Sequence, residues 1–301
     1  LKNERSDGVV ELWDAEKDFQ PSNTPLLHYS MLLLFDIGNT NTHAGLANDR
    51  RVVKQTNIPT AGWVNGTAAK LMRKFVGRAP LDGVALCSVV PRATPFVHQT
   101  ARALWKLGVF ELTPKTLQVV GIDYPKPDTI GPDRLANAVA ARHRFGAPVV
   151  VLDFGTAVTL DVVNRAGNYA GGIIAPGLAA MTDYLHEKTA LLPRIKIREI
   201  KTSIGKSTEE AMLVGAVHGY RGLIRELIGE LKRGLKTKHL PVVATGGYAK
   251  LMASKLPEIS AVEPNLTLEG LRLTWEADGA PGYVNHLLYR RRKANRNGRS
   301  T

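Results

Sequence analysis

Met31-Leu-Leu-Leu-Phe-Asp-Ile-Gly-Asn-Thr-Asn-Thr-His43 is an apolar run that breaks into a polar, glycine-containing turn. Pro148-Val-Val-Val-Leu-Asp-Phe-Gly-Thr-Ala-Val-Thr159 repeats the theme, with Asp153 lying 117 residues after Asp36. In each stretch a buried strand runs into Asp-x-Gly-(Asn/Thr) and a second strand follows. One such turn is accounted for by a tight hairpin in which Asp bonds its own backbone and Gly relaxes the chain. Two copies at equivalent points indicate a duplicated domain.

Working outward, the patterning predicts strands at 31–35, 42–47 and 51–57, a helix at 64–76, a strand at 83–90 and a helix at 94–107. A proline-marked loop, 121–132, leads into a helix at 132–145 with Pro132 at its favoured first position. The second half reads as strands at 148–152, 158–163 and 168–175, helices near 178–190 and 207–233, a strand at 241–245, and helices after Gly247. Alternating strands and helices place the chain in the α/β class. The boundary between halves falls near residue 147. This divides the chain into a poorly ordered extension (1–30), an N-terminal lobe (31–147), a C-terminal lobe (148–289) and a basic tail (290–301).

Composition narrows the function. With 301 residues, 44% hydrophobic and 22% charged, the chain can bury a large core and is neither disordered nor coiled-coil. Its single cysteine, Cys87, excludes an intrachain disulfide and a Cys-rich zinc site. No apolar run reaches the roughly 18 residues of a membrane span, so a soluble, cytoplasmic protein is expected. The net charge is +13. The first 30 residues are net acidic, and the tail carries Arg290, Arg291, Arg292, Lys293, Arg296 and Arg299 with no acid. A basic body suits polyanionic ligands such as nucleotides or phosphorylated metabolites.

Five segments carry candidate chemistry. In Asp36 to His43, Gly38 permits close approach of an anion, and Asn39, Thr40, Asn41 and Thr42 offer amide and hydroxyl donors to phosphate. Asp36 accepts only when ionised, which suits hydrated Mg²⁺. His43 fits a phosphate contact and a structural role equally well. Gly131-Pro132-Asp133-Arg134 couples an acid and a base at a helix start; taken alone, an ordinary helix terminus accounts for it. Asp153-Phe-Gly-Thr156 resembles a second phosphate turn. Gly171-Gly-Ile-Ile-Ala-Pro-Gly177 and Ala244-Thr-Gly-Gly-Tyr248 each read as a strand feeding a tight turn. The second could also admit a flat ligand such as adenine. No P-loop and no Gly-x-Gly-x-x-Gly after a strand are present.

In this order the motifs resemble the type III pantothenate kinases of the acetate kinase, hexokinase, Hsp70 and actin superfamily. The resemblance extends over 31–280 and includes Thr189-Ala-Leu-Leu-Pro and Ile204-Gly-Lys-Ser-Thr208. It implies two duplicated actin-like (ribonuclease H-like) lobes with mixed sheets and a nucleotide cleft between them. It implies ATP-dependent phosphorylation of pantothenate, the first step toward coenzyme A, by a homodimer using Mg²⁺ and a monovalent cation, K⁺ or NH₄⁺. Carried over by position, Asp36, Ile37, Gly38, Asn39, Thr40, Asn41, Thr42 and His43 form the first ATP loop, and Thr156 touches ATP. Asp133 is the proton acceptor. Tyr124, Gly131, Pro132, Asp133, Arg134 and Thr208 contact pantothenate, and Asp153 holds the monovalent ion. Two alternatives remain open: a basic, nucleic-acid-binding transcriptional accessory factor on the same fold, and a kinase for another small hydroxy acid. The intact Asp133, Asp153 and Thr156, and the lack of a helix-turn-helix or zinc-finger signature, weigh against nucleic acid.

Overall fold

The computed structural model describes residues 31–277. The expected extension at 1–30 and the basic tail at 290–301 lie outside the described residues. β1 (Met31–Ile37), β2 (Asn41–Ala47) and β3 (Val52–Pro59) form an antiparallel meander. β4 (Leu81–Ser88) pairs parallel to β1, and β5 (Val109–Glu111) pairs parallel to β4. The sheet order is β3-β2-β1-β4-β5.

The second half rebuilds the same plan. β6 (Val149–Phe154), β7 (Ala157–Val163) and β8 (Tyr169–Pro176) form the meander, and β9 (Val242–Gly246) and β10 (Ala261–Val262) add in parallel. Their order, β8-β7-β6-β9-β10, matches the first sheet strand for strand. The duplication read from two Asp-x-Gly turns is therefore present in the topology, and both sheets are mixed.

β1 shows why its run is apolar on both faces. Leu33 and Phe35 face a cluster with α1 (Thr67–Val76) and α2 (Thr94–Trp105), containing Met72, Phe75 and Val97. Leu32 and Leu34 face the opposite way, into a core shared with Val149 and Val151 of β6. A strand buried on both faces needs no polar alternation. Two helices fill that shared core: α3 (Pro132–Phe145) and α8 (Leu266–Ala277) pack against each other, α3 reaching β6 and β7 and α8 reaching β1, β2 and β4. Each is the last described helix of its half, and each packs on the other half's sheet. The remaining helices, α4 (Leu178–Lys188), α5 (Thr208–Val214), α6 (Tyr220–Gly234) and α7 (Ala249–Ala253), belong to the second half.

Local details depart from the sequence reading. The helix expected from 64 begins at Thr67, because Thr60–Trp63 forms a separate 3₁₀ turn and Gly66 adopts a left-handed φ of 77°. The helix expected over 207–233 contains a π-helical turn at Gly215–Gly219. Strands β5 and β10, three and two residues long, were not expected; such short pairings leave no periodic signal. No helix among the described residues is long and apolar enough to cross a membrane.

Candidate active site

The duplicated strands place two carboxylates equivalently. Asp36 is the penultimate residue of β1, opposite His43 in β2 and Cys87 in β4. Asp153 is the penultimate residue of β6, opposite Thr159 in β7 and Thr245 in β9. Asp133 joins them from the first turn of α3, where Gly131 is the N-cap and Pro132 the first helical residue. Asp133 Oδ1 accepts the Arg134 backbone N–H at 2.9 Å.

Proximity and burial set the electrostatics. Burial, then the Asp133 charge, then the Asp153 charge push Asp36 up to about 8. Burial and the Asp133 charge raise Asp153 to about 7, against an opposing hydrogen bond from Asn137. Burial also raises Asp133, although the Arg134 N–H and guanidinium pull the other way. The Asp133 charge thus raises both Asp36 and Asp153, and buried carboxylates so placed are completed by a cation or hold protons. Among the described residues, no three His, Cys, Asp or Glu side chains converge closely enough to hold a metal ion by themselves.

Neighbouring groups fix each carboxylate. Asn137 Nδ2 donates to Asp153 Oδ2 at 3.2 Å, while Thr267 Oγ1 of α8 donates to Asn137 Oδ1 at 2.8 Å. The threonine thus selects the amide orientation that faces Asp153. The buried Cys87 thiol lies 3.6 Å from Asp36 Oδ1, and burial plus the Asp36 charge push its pKa up, so it stays a thiol.

The two hairpin turns flank this cluster. Asn39, Thr40 and Asn41 are exposed at the first turn, closed by Gly38 N–H donating to Asn41 O at 3.0 Å. Ile37 and Thr42 point into the core. The Thr42 hydroxyl, fully buried, accepts from Trp63 Nε1 at 3.0 Å and lies 3.1 Å from the Thr60 hydroxyl. The expectation of a Thr42 hydroxyl donor to phosphate is corrected: in a β-strand Thr42 faces opposite to Asn41, and its hydroxyl is spent inside. His43 is held 2.8 Å from Gln55, and burial lowers its pKa, favouring the neutral ring.

Thr156 is exposed at the second turn. Its carbonyl accepts the Gly177 N–H at 3.2 Å, and a Cβ on Gly177 would lie only 2.2 Å from that carbonyl oxygen. Glycine is thus required for the Gly171–Gly177 segment to lean on the turn. Gly246 has φ 89°, and a Cβ there would sit 2.6 Å from both Asp153 Oδ1 and the Phe154 carbonyl oxygen. The missing side chain lets this backbone lie directly against β6 beside the Asp153 carboxylate.

Beside Asp133, Arg134 Nε donates to Asp161 Oδ1 at 2.6 Å, and its guanidinium carbon sits 5.7 Å from the Tyr169 ring centroid. Tyr124 is partly exposed and packs edge-on against Tyr169 with centroids 6.2 Å apart. The loop bearing Tyr124 is tied to β8 by Asp123 N–H to Tyr169 O and Tyr169 N–H to Gly121 O, both 2.8 Å. Tyr124, Gly131, Pro132, Asp133 and Arg134 are thereby gathered in one region. Thr208 is not joined to them: it is exposed at the start of α5, and no hydrogen bond or ion pair among the described residues links it to the cluster.

Asp161, Asn137, Tyr169 and Thr267 were missed by sequence reasoning. Asp161 alone left a signal, a carboxylate inside the apolar strand Val158-Thr-Leu-Asp-Val-Val163.

Comparisons with known proteins give the family. The family model for type III pantothenate kinase matches residues 32–230. A type III pantothenate kinase from Methylacidiphilum infernorum is 44% identical over 248 residues, spanning 81% of this chain and 88% of the relative. One from Akkermansia muciniphila is 43% identical over 241 residues, spanning 80% of this chain and 96% of the relative. A solved structure described as a conserved putative Baf family transcriptional activator, from Campylobacter jejuni, superposes with a TM-score of 0.53 at 18% identity. It covers 83% of this chain and all of that one, and shows the shared fold. On the extent of the family match and the identity to these relatives, the chain belongs to the type III pantothenate kinase family.

Proposed function

We propose that this chain transfers the γ-phosphoryl group of ATP to the primary hydroxyl of pantothenate, the first step toward coenzyme A, with Asp133 as proton acceptor. The observation that carries the reading is the meeting of Asp36, Asp133 and Asp153 beside two exposed hairpin turns, in a chain of this family. The hydroxyl oxygen attacks the γ-phosphorus, the bond to the β–γ bridging oxygen breaks, and the hydroxyl proton passes to Asp133. Phosphoryl transfer depends on positioning and charge stabilisation more than on covalent chemistry by the protein. The turns at Gly38–Asn41 and Gly155–Thr156 supply backbone and side-chain donors for the phosphates. Tyr124, Gly131, Pro132 and Arg134 receive pantothenate, and Thr208 is assigned to it by family position.

The oxygen-only donor set suits hard cations. Mg²⁺, held chiefly by ATP with Asp36 nearby, would neutralise charge developing on the phosphates. Asp153 is assigned the monovalent ion, K⁺ or NH₄⁺, by family position; its buried carboxylate, raised to about 7 in the ligand-free protein, is the group such an ion would neutralise. A homodimer is supported by exposed Ile174, Met181, Tyr184, Leu185, Leu191 and Ile204 on β8, α4 and the loops that follow. Leu191 is 90% exposed and Ile204 76%, and apolar side chains this open favour association with a second copy. We place the enzyme in the cytoplasm and divide it into lobes 31–147 and 148–289, with α3 and α8 crossing between them. A coupled assay for ADP with pantothenate and a panel of other hydroxy acids tests the reading. Preference for pantothenate supports it, and preference for another acid replaces the substrate.

A further inference from the structure

We infer that Asp161 is a positioning residue for substrate recognition, acting through Arg134. The inference rests on the kinase reading above, in which Arg134 contacts pantothenate. The Asp161 side chain is fully buried, yet it lies in the middle of β7 among Val158, Leu160 and Val163. A carboxylate in such a place is costly unless every lone pair is used. Here the partners are specific: Oδ1 accepts from Arg134 Nε at 2.6 Å and from the Tyr169 hydroxyl at 3.0 Å, and Oδ2 accepts from Thr159 at 2.8 Å.

The pattern of occupancy gives the role. Asp161 takes Nε, the inner nitrogen of the guanidinium. The two terminal nitrogens of Arg134 have no hydrogen-bond partner among the described residues, and the side chain is 15% exposed. Taking Nε leaves free the terminal fork, the two nitrogens that bind a carboxylate through parallel bonds. Arg221 spends its fork on Glu199, at 3.0 and 2.6 Å. Arg134 is instead gripped from the side, and Tyr169 lies under its guanidinium. The same Tyr169 ring backs Tyr124. Asp161 therefore holds both walls of the region next to Asp133, one by its ion pair and one by its hydrogen bond. It sets the orientation of the terminal nitrogens offered to the substrate's polar groups without touching the substrate itself.

The test is steady-state kinetics of the full chain, with pantothenate and ATP varied separately, alongside thermal melting. Asp161→Asn keeps the volume and removes the charge that orients Arg134. Losing the partner that orients a metal ligand costs about 10- to 100-fold, and the same scale is taken for Arg134. The KM for pantothenate is expected to rise by that factor, with the KM for ATP changed less than about threefold. Tyr169→Phe removes one hydrogen bond to Asp161 and keeps the ring. It is expected to shift the same KM in the same direction by a smaller factor, and it serves if Asp161→Asn does not fold. In an Arg134→Met background, Asp161→Asn should add little further loss. An unchanged pantothenate KM in both folded variants, with only a lower melting temperature or active fraction, overturns the inference and leaves the kinase reading standing. A wild-type protein that does not phosphorylate pantothenate removes the kinase reading and this inference with it.

Discussion

Replacing Asp133 by Asn separates catalysis from helix stabilisation. Asp133 Oδ1 accepts the Arg134 backbone N–H at 2.9 Å, and an Asn side-chain oxygen can accept the same bond. The substitution leaves the shape and this hydrogen bond intact and removes the basic oxygen. General-base catalysis is worth about 10²- to 10⁴-fold, or roughly 2.7–5.4 kcal/mol of barrier at about 1.36 kcal/mol per factor of ten. On stability, loss of the charge at the helix terminus costs about 0.3–1 kcal/mol. Relief of the repulsion with Asp36 and Asp153 offsets it. The net change stays within about 1 kcal/mol, a shift of about 2–4 °C for a domain of this class. Turnover measured beside the melting temperature should therefore show a large kinetic loss in a folded protein, with little change in the KM for ATP. Near wild-type turnover in a folded Asp133→Asn variant would refute the assignment of Asp133 as the base.

Three further outcomes follow from the same geometry. Asp36 and Asp153 have pKa values raised to about 8 and about 7, so the folded ligand-free protein binds more protons than the unfolded chain between the ordinary carboxylate range and about pH 8. Its melting temperature should fall as pH rises through that window, and Asp36→Asn should flatten the fall; a melting temperature that climbs steadily from pH 5 to 8 contradicts the shared charge. Activity should drop when K⁺ or NH₄⁺ is exchanged for Na⁺, and equal rates in all three salts would remove the cation from Asp153. Gly177→Ala would put a Cβ 2.2 Å from the Thr156 carbonyl oxygen, a backbone atom that cannot swing aside. A stability loss of about 1–3 kcal/mol and a raised KM for ATP are expected, and an unchanged melt and KM would show that the turn does not depend on this contact.

The parts of the molecule that were legible in the sequence are those encoded locally. The Asp36 and Asp153 turns carry their own apolar strand, break and second strand, so the hairpins and their duplication follow from a dozen residues each. Pro132 marks the start of α3 for the same reason. The sheet pairing of β5 and β10 depends on neighbours supplied by distant chain, and two or three residues carry no period of their own. The return of α8 to the first sheet is a contact between residues more than 200 positions apart, as in the Val52 N–H bonded to Glu269 at 2.6 Å. Thr42 illustrates the converse failure: its polar neighbours in sequence suggested a phosphate donor, while Trp63 and Thr60 claim its hydroxyl in space. Asn137 and Thr267 gain meaning only when α3 and α8 cross.

The most direct test of the central claim is to identify the product made by the purified chain from pantothenate and MgATP, with ADP counted in the same reaction. The account predicts 4'-phosphopantothenate and ADP in equal amounts, and loss of both together in Asp133→Asn. ADP formed without phosphopantothenate, or phosphate placed preferentially on another hydroxy acid, would contradict it.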